Sequence, residues 1–222
     1  MKKFSLLDGT ALVVWLLPAV FLWIIFPTLP QTVPVHYGLN GTVDRYGSRD
    51  EFLIGPLILI GVSALVYLLL KFLPAIDPKK QIKYGEGTFQ RLALGLVVFL
   101  AILNIAIIYA TVHRGFQIDK LIFPVIGLLF AFLGNMMNSI KPNYFAGIRT
   151  PWTLESEDNW RATHRLAGKI WFTGGIIITI VMLFLPAQAG AIFFTSAVIV
   201  MAFIPVIYSF VYFKKHQVNQ NL

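Results

Sequence analysis

The sequence predicts an all-α membrane protein: a bundle of six transmembrane helices, with a short extracytoplasmic hairpin-like loop and an amphipathic inner-leaflet helix. Three observations predict it. Hydrophobic residues make up 57% of the 222 and charged residues 13%. Mean hydropathy is +0.75. An ordinary soluble domain is about 45–50% apolar and about 25% charged. The apolar residues also fall in six blocks, Thr10–Leu29, Phe52–Leu73, Leu92–Val112, Leu121–Ile140, Gly168–Leu185 and Ala191–Tyr212. Each is close to the roughly 20 residues that cross a hydrocarbon core. None alternates as a barrel strand would, so each reads as a helix that satisfies its own backbone. Finally, Lys and Arg are distributed unevenly between the loops.

That third observation gives the orientation, because positive charge near span ends stays cytoplasmic. With the N-terminus inside, 14 of the 18 Lys and Arg lie on the inner face, and Arg45, Arg49, Arg114 and Lys120 lie outside. Six spans put both termini in the cytoplasm and the protein in the plasma membrane. The net charge of +8 is then mostly inner-face bias, suited to anionic lipid headgroups and not to nucleic acid. The first block is too long for a secretory leader and no small-residue cleavage site follows it, so it reads as a retained span with a place for a kink at Pro18. Cysteine is absent, which excludes disulfides and thiolate metal sites within the chain.

The extracytoplasmic loop, residues 30–51, reads PQTVPVHYGLNGTVDRYGSRDE. Pro30 and Pro34 disfavour helix. Val33, Val35 and Tyr37 alternate, and Asn40–Gly41 is a two-residue turn signal. A hairpin fits, marginal alone and so packed on the helix ends. His36 and Asp44 flank the turn within reach of each other. The pair reads as a metal or proton-responsive site, as the lip of a ligand site with Asn40 and Arg45, or as a structural hydrogen bond pinning the loop. Two candidate ligands fall short of the four a structural zinc takes, so no metal and no cofactor are expected.

The cytoplasmic loop, residues 141–167, begins KPNYFAGIRTPWTLESEDNW. Pro151 holds Thr150 extended, and Thr153 or Ser156 is placed to cap a helix with Glu155, Glu157 and Asp158 in its first turn. Trp160, His164 and Gly168 share one face of that helix, and Arg161, Arg165 and Lys169 form the neighbouring stripe. With Trp152 and Trp171 this predicts an inner-leaflet helix held by aromatic and basic anchors, or a surface that docks a partner protein. Arg149 is set to pair with a lipid phosphate or with Glu155, Glu157 or Asp158.

Inside the spans no Asp, Glu, Lys or Arg lies near a centre, against an ion-driven carrier. Asn104, Asn135, Asn138, Thr173, Thr179, Thr195 and Ser196 read as interhelical hydrogen-bonding groups.

Two strings carry a family resemblance. NYFAGIRTPWTL, followed by W-x-x-T-H-R at Trp160–Arg165 and Gly168–Trp171, resembles the signature of the SdpI family of bacterial immunity proteins. LP-x-x-VP-x-H at Leu29–His36, with Gly41 and Asp44, is similar to a domain of unknown function that often precedes it. The resemblance implies a multipass membrane protein that protects its cell from a secreted antimicrobial peptide. It also implies signalling, by recruitment of a transcriptional repressor to the membrane, and it brings no catalytic residues. On this reading His36, Asn40, Asp44 and Arg45 face the peptide. Asn143, Arg149, Trp152, Trp160, His164 and Arg165 contact a partner or lipid. Two other classes stay open: an enzyme on a lipid-linked substrate, using Asn143, Arg149 and His164, and a small-solute or peptide transporter lined by Asn104, Asn135 and Asn138.

Overall fold

A computed structural model describes residues 4–38, 41–76, 86–113, 115–143 and 145–220. Six helices are long and apolar enough to cross a membrane, within Leu6–Thr28, Arg49–Leu73, Gly87–Val112, Asp119–Met137, Glu157–Phe184 and Ala187–His216. In chain order the elements are α1 (Leu6–Ile25), β1 (Thr32–Tyr37), β2 (Val43–Ser48), α2 (Arg49–Phe52), α3 (Ile54–Ile76), α4 (Glu86–Val112), α5 (Asp119–Met137), α6 (Pro151–Glu155), α7 (Glu157–Phe184) and α8 (Ala187–Gln220). The chain is a multipass helical membrane protein with one small sheet.

The N-terminus of α1 is set by a reciprocal cap. Ser5 accepts from the Asp8 N–H, and the Asp8 carboxylate accepts from the Ser5 N–H at 2.7 Å. Asp8 is 2% exposed. It also accepts from the Tyr67 hydroxyl and pairs with Lys71 Nζ at 2.9 Å, so the first turn of α1 is tied to the end of α3. Sequence reasoning passed over Asp8, and counted Lys71 only as a cytoplasmic positive charge. The helix runs unbroken through Pro18 and ends at a single 3-10 turn over Phe26–Thr28, where Pro27 stands.

The helices pack as two groups of three. In the first, α4 lies against both α1 and α3; in the second, α7 lies against both α5 and α8. Of the spanning helices, α4 and α5 make the seam between the groups. In the first group the Asn104 amide donates to the Pro56 carbonyl (3.0 Å) and the Trp15 indole to the Ile60 carbonyl (2.9 Å). In the second, α5 and α7 approach until their backbones touch. A Cβ at Gly127 would strike Thr179 and the Gly175 carbonyl, and one at Gly134 would strike the backbone of Phe172 and Gly168. Thr179 adds a hydrogen bond to the Pro124 carbonyl at 3.2 Å. In lipid, where apolar burial drives little association, such close small-residue contact is a main source of helix affinity.

Asn104 and Thr179 thus bond between helices as expected. The other five groups of that expectation do not. Thr173 bonds back to Lys169 of its own helix (2.8 Å), and Asn135, Asn138, Thr195 and Ser196 are exposed on the protein surface.

The amphipathic segment is continuous with the fifth span. The helix runs 28 residues from Glu157 to Phe184 without a break. Its Trp160 and His164 face is buried in protein and does not lie on the leaflet.

Candidate functional site

The loop before α7 is folded around its own polar side chains. Asn143 is buried, and its amide is fully used. Oδ1 accepts from the N–H groups of Phe145 and Ala146 at 2.7 and 2.8 Å, while Nδ2 donates to the carbonyls of Lys141 and Ala146. Gly147 then takes φ +114, and a Cβ there would meet His164 and the Trp160 ring. Only glycine fits that bend. Thr150, extended before Pro151, caps α6 in a reciprocal arrangement with Thr153. Ser156 caps α7, with Glu157 and Asp158 in the first turn.

His164 closes the loop onto the helix. Its Nε2 accepts from the Ile148 N–H at 3.1 Å, and Nδ1 lies 2.9 Å from the Trp160 carbonyl. Those contacts require the neutral ring with its proton on Nδ1. Trp160 stacks on His164 at 4.1 Å between centroids and donates its indole N–H to the Ile140 carbonyl at 2.9 Å. On the next face of α7, the Asn159 amide donates to the Ser209 carbonyl of α8 (2.9 Å) and accepts from Thr163 (3.0 Å). The Ser209 hydroxyl lies 3.1 Å from that of Thr150. Loop, α7 and α8 therefore form one hydrogen-bonded block. Asn143, Trp160 and His164 are spent within it, which leaves the predicted Asn143–Arg149–His164 cluster without a free base.

What the block presents outward is different. Arg149 and Arg165 are exposed, and Trp152 is half-buried against Phe210, 4.9 Å between centroids. Glu157, an expected partner of Arg149, is taken by Arg161 at 2.5 Å. Asn138, Lys141, Arg161 and Arg165 rim a cleft of about 440 Å³ whose floor is Trp160 and His164.

On the opposite face the hairpin forms as expected, with antiparallel β1 and β2 pairing Thr32 with Ser48 and His36 with Arg45. Val33 anchors it in a cluster with Leu22, Leu29, Phe52 and Ile108. The strands are joined by residues 38–42. Gly38 and Thr42 are hydrogen-bonded across that link (2.9 Å) and Gly41 has φ +75. Asn40 lies outside the described residues. His36 Nδ1 and Asp44 Oδ1 are 2.6 Å apart, and Arg45 pairs with Glu51 at 2.5 Å. The His36 and Asp44 side chains are 65% and 49% exposed. Exposed ion pairs contribute about 0–1 kcal/mol. His36→Ala and Asp44→Ala should therefore shift the thermal midpoint of the purified protein by no more than about 2–4 °C. A larger loss in a melting series would show that the pair holds the hairpin.

The other side of the hairpin roofs a cavity of about 870 Å³. Its walls come from β1 and β2 (Pro34, Tyr37, Val43, Tyr46), the end of α4 (Thr111, His113), the following turn (Phe116) and the start of α5 (Asp119). His36, Asp44 and Arg45 lie outside it. Burial raises the pKa of Tyr37 above its ordinary value, so its hydroxyl stays a donor. Among the described residues no cluster of His, Asp or Glu could hold a metal ion.

Fold and loops together define a six-span membrane protein built of two three-helix groups, the second sealed by a polar block on α7 and α8. The resemblance read from the loops holds. Residues 139–209 match the SdpI/YfhL protein family, and residues 13–60 match DUF1648, a domain of unknown function. The first region falls in the second helix group and the other in the first group and its hairpin. Over 161 residues the chain is 24% identical to Immunity protein SdpI of Bacillus subtilis, covering 72% of this chain and 74% of that protein. Over 57 residues it is 39% identical to an uncharacterized protein of Archaeoglobus fulgidus, 26% of this chain and 29% of the other. No solved structure matches the chain.

Proposed function

We propose that this is a plasma-membrane immunity protein that protects its cell from a secreted toxic peptide. The observation that supports this most is the similarity to Immunity protein SdpI along nearly three quarters of both chains. The charge bias adds an orientation: both termini and the 141–167 loop in the cytoplasm, the hairpin and its cavity outside. The two faces then have separate tasks. An exported peptide meets the cavity face, and a cytoplasmic partner or anionic lipid meets Arg149, Trp152, Arg161 and Arg165.

Expression in a sensitive strain challenged with secreted antimicrobial peptides tests the first task. Survival should rise for at least one peptide. Survival unchanged across all of them removes the immunity reading. Signalling is the second task, by recruitment of a transcriptional repressor to the exposed Arg149–Trp152 surface. Arg149→Ala with Trp152→Ala should abolish induction of a repressor-controlled reporter, compared at matched membrane levels because Trp152 packs on Phe210. Full induction in that double variant ends the recruitment hypothesis.

The rival readings draw less support. An enzyme using His164 needs a free ring nitrogen, and both are engaged. A transport path through Asn104, Asn135 and Asn138 needs them on one channel. Instead Asn104 is buried against Pro56, Asn135 lies in the groove between α4 and α5, and Asn138 lies at the basic cleft.

A further inference from the structure

The cavity beneath the hairpin holds two polar groups that the fold leaves unused. Asp119 is 8% exposed and lines the cavity wall with its carboxylate against Gly41. Among the described residues it has no hydrogen bond or ion pair. Neighbouring Lys120 does not neutralise it, because its Nζ is turned to the Leu185 carbonyl. The Tyr37 hydroxyl is buried beside Thr111 and makes no hydrogen bond of acceptable geometry. The Asp119 carboxylate opens on the cavity, where a charge between protein walls attracts a cation more strongly than it would in bulk water. The first turn of α5 offers it some compensation through the helix dipole, but no donor. The remaining walls combine apolar and aromatic residues (Pro34, Val43, Tyr46, Phe116) with polar ones (Thr32, His113, Gln117).

We infer that this cavity is a recognition site for a peptide carrying a cationic group among apolar residues, with Asp119 receiving the ammonium or guanidinium and Tyr37 donating to a peptide carbonyl. The volume, about 870 Å³, lies in the range of ligand sites, roughly 300–1,000 Å³. It accommodates a few side chains and excludes a folded domain. The exposed His36–Asp44 pair stands outside the site. This inference rests on the immunity reading for the source of the peptide, but the site's chemistry can be tested without it.

The probe is a fluorescent nine-residue Leu/Phe peptide with one central lysine, compared with its norleucine counterpart, against the full chain in lipid nanodiscs. Empty nanodiscs give the background partition of each peptide. The lysine peptide should bind the protein about tenfold or more tightly than the norleucine one, as a desolvated charge-assisted contact implies. Asp119→Asn should erase that ratio, Tyr37→Phe should weaken both peptides alike by a few-fold, and His36→Ala should change nothing. Equal binding of the two peptides by the native chain overturns the inference. So does an undiminished ratio in Asp119→Asn, whose folding is checked by its thermal midpoint. A chain that discriminates the peptides yet gives no survival in the challenge defeats the immunity reading alone. One that protects without discriminating defeats the site alone.

Discussion

Gly175→Leu is expected to prevent the second helix group from assembling. A Cβ at Gly175 already meets the Ala131 N–H and the Gly127 carbonyl, both backbone atoms that cannot swing away. Leucine forces α5 and α7 apart along the whole line of Gly127, Ala131 and Gly134, and breaks the bond from Thr179 to Pro124. Overpacking a tight site costs about 1–3 kcal/mol even where side chains can yield. Here the separation also forfeits the close packing that lipid does not replace. Membrane levels should fall on the order of tenfold, as for a protein near its stability threshold. Gly175→Ala should lower the thermal midpoint in detergent while still accumulating. Gly61→Leu is the control, since a Cβ there meets nothing within 4 Å, and it should behave as the native chain does. If Gly175→Leu accumulates and melts normally, the α5–α7 contact does not hold the group together.

Why some of this was legible in the sequence follows from what each signal constrains. Span number was readable because bilayer thickness fixes the length of an apolar block. The hairpin was readable because Pro30, Pro34 and alternation act locally, and the His36–Asp44 approach because the turn lies midway between them. The Ser156 cap is likewise local, whereas the other candidate, Thr153, lies inside α6 and pairs with its cap, Thr150. The orientation of the Trp160–His164 face was not readable. A helix lying on lipid and a helix covered by its own loop give the same i, i+4 pattern. What separates them is the bend at Gly147, which returns the chain onto α7. The cavity was hidden for a related reason. Its walls come from stretches distant in sequence, the hairpin strands, residues 110–120 and Pro186–Ala187, so Asp119 reads there as an ordinary acid at a helix start. The stripe Gly127, Ala131 and Gly134 was not read, because small residues one helical turn apart do not say which helix they meet.

Trp160→Ala separates what the signature motif holds together from what it presents. The side chain is 1% exposed, and its removal should cost about 3–5 kcal/mol. The Ile140 carbonyl loses its donor and the His164 ring loses its stacking face. His164→Ala should cost less, about 1–3 kcal/mol, chiefly because the Ile148 N–H is left without an acceptor. The two changes disrupt one unit, so the double variant should fall short of their sum. Thermal unfolding in detergent measures all three, and limited proteolysis within 141–150 should report the loop's release. The functional consequence then follows. If the motif is a lock, any loss of protection in His164→Ala tracks the loss of folded protein, whereas Arg149→Ala with Trp152→Ala loses signalling beyond any loss of folded protein. A His164→Ala protein that melts like the native chain but protects no cell would mean that the imidazole acts chemically, and the structural account of the signature would be wrong.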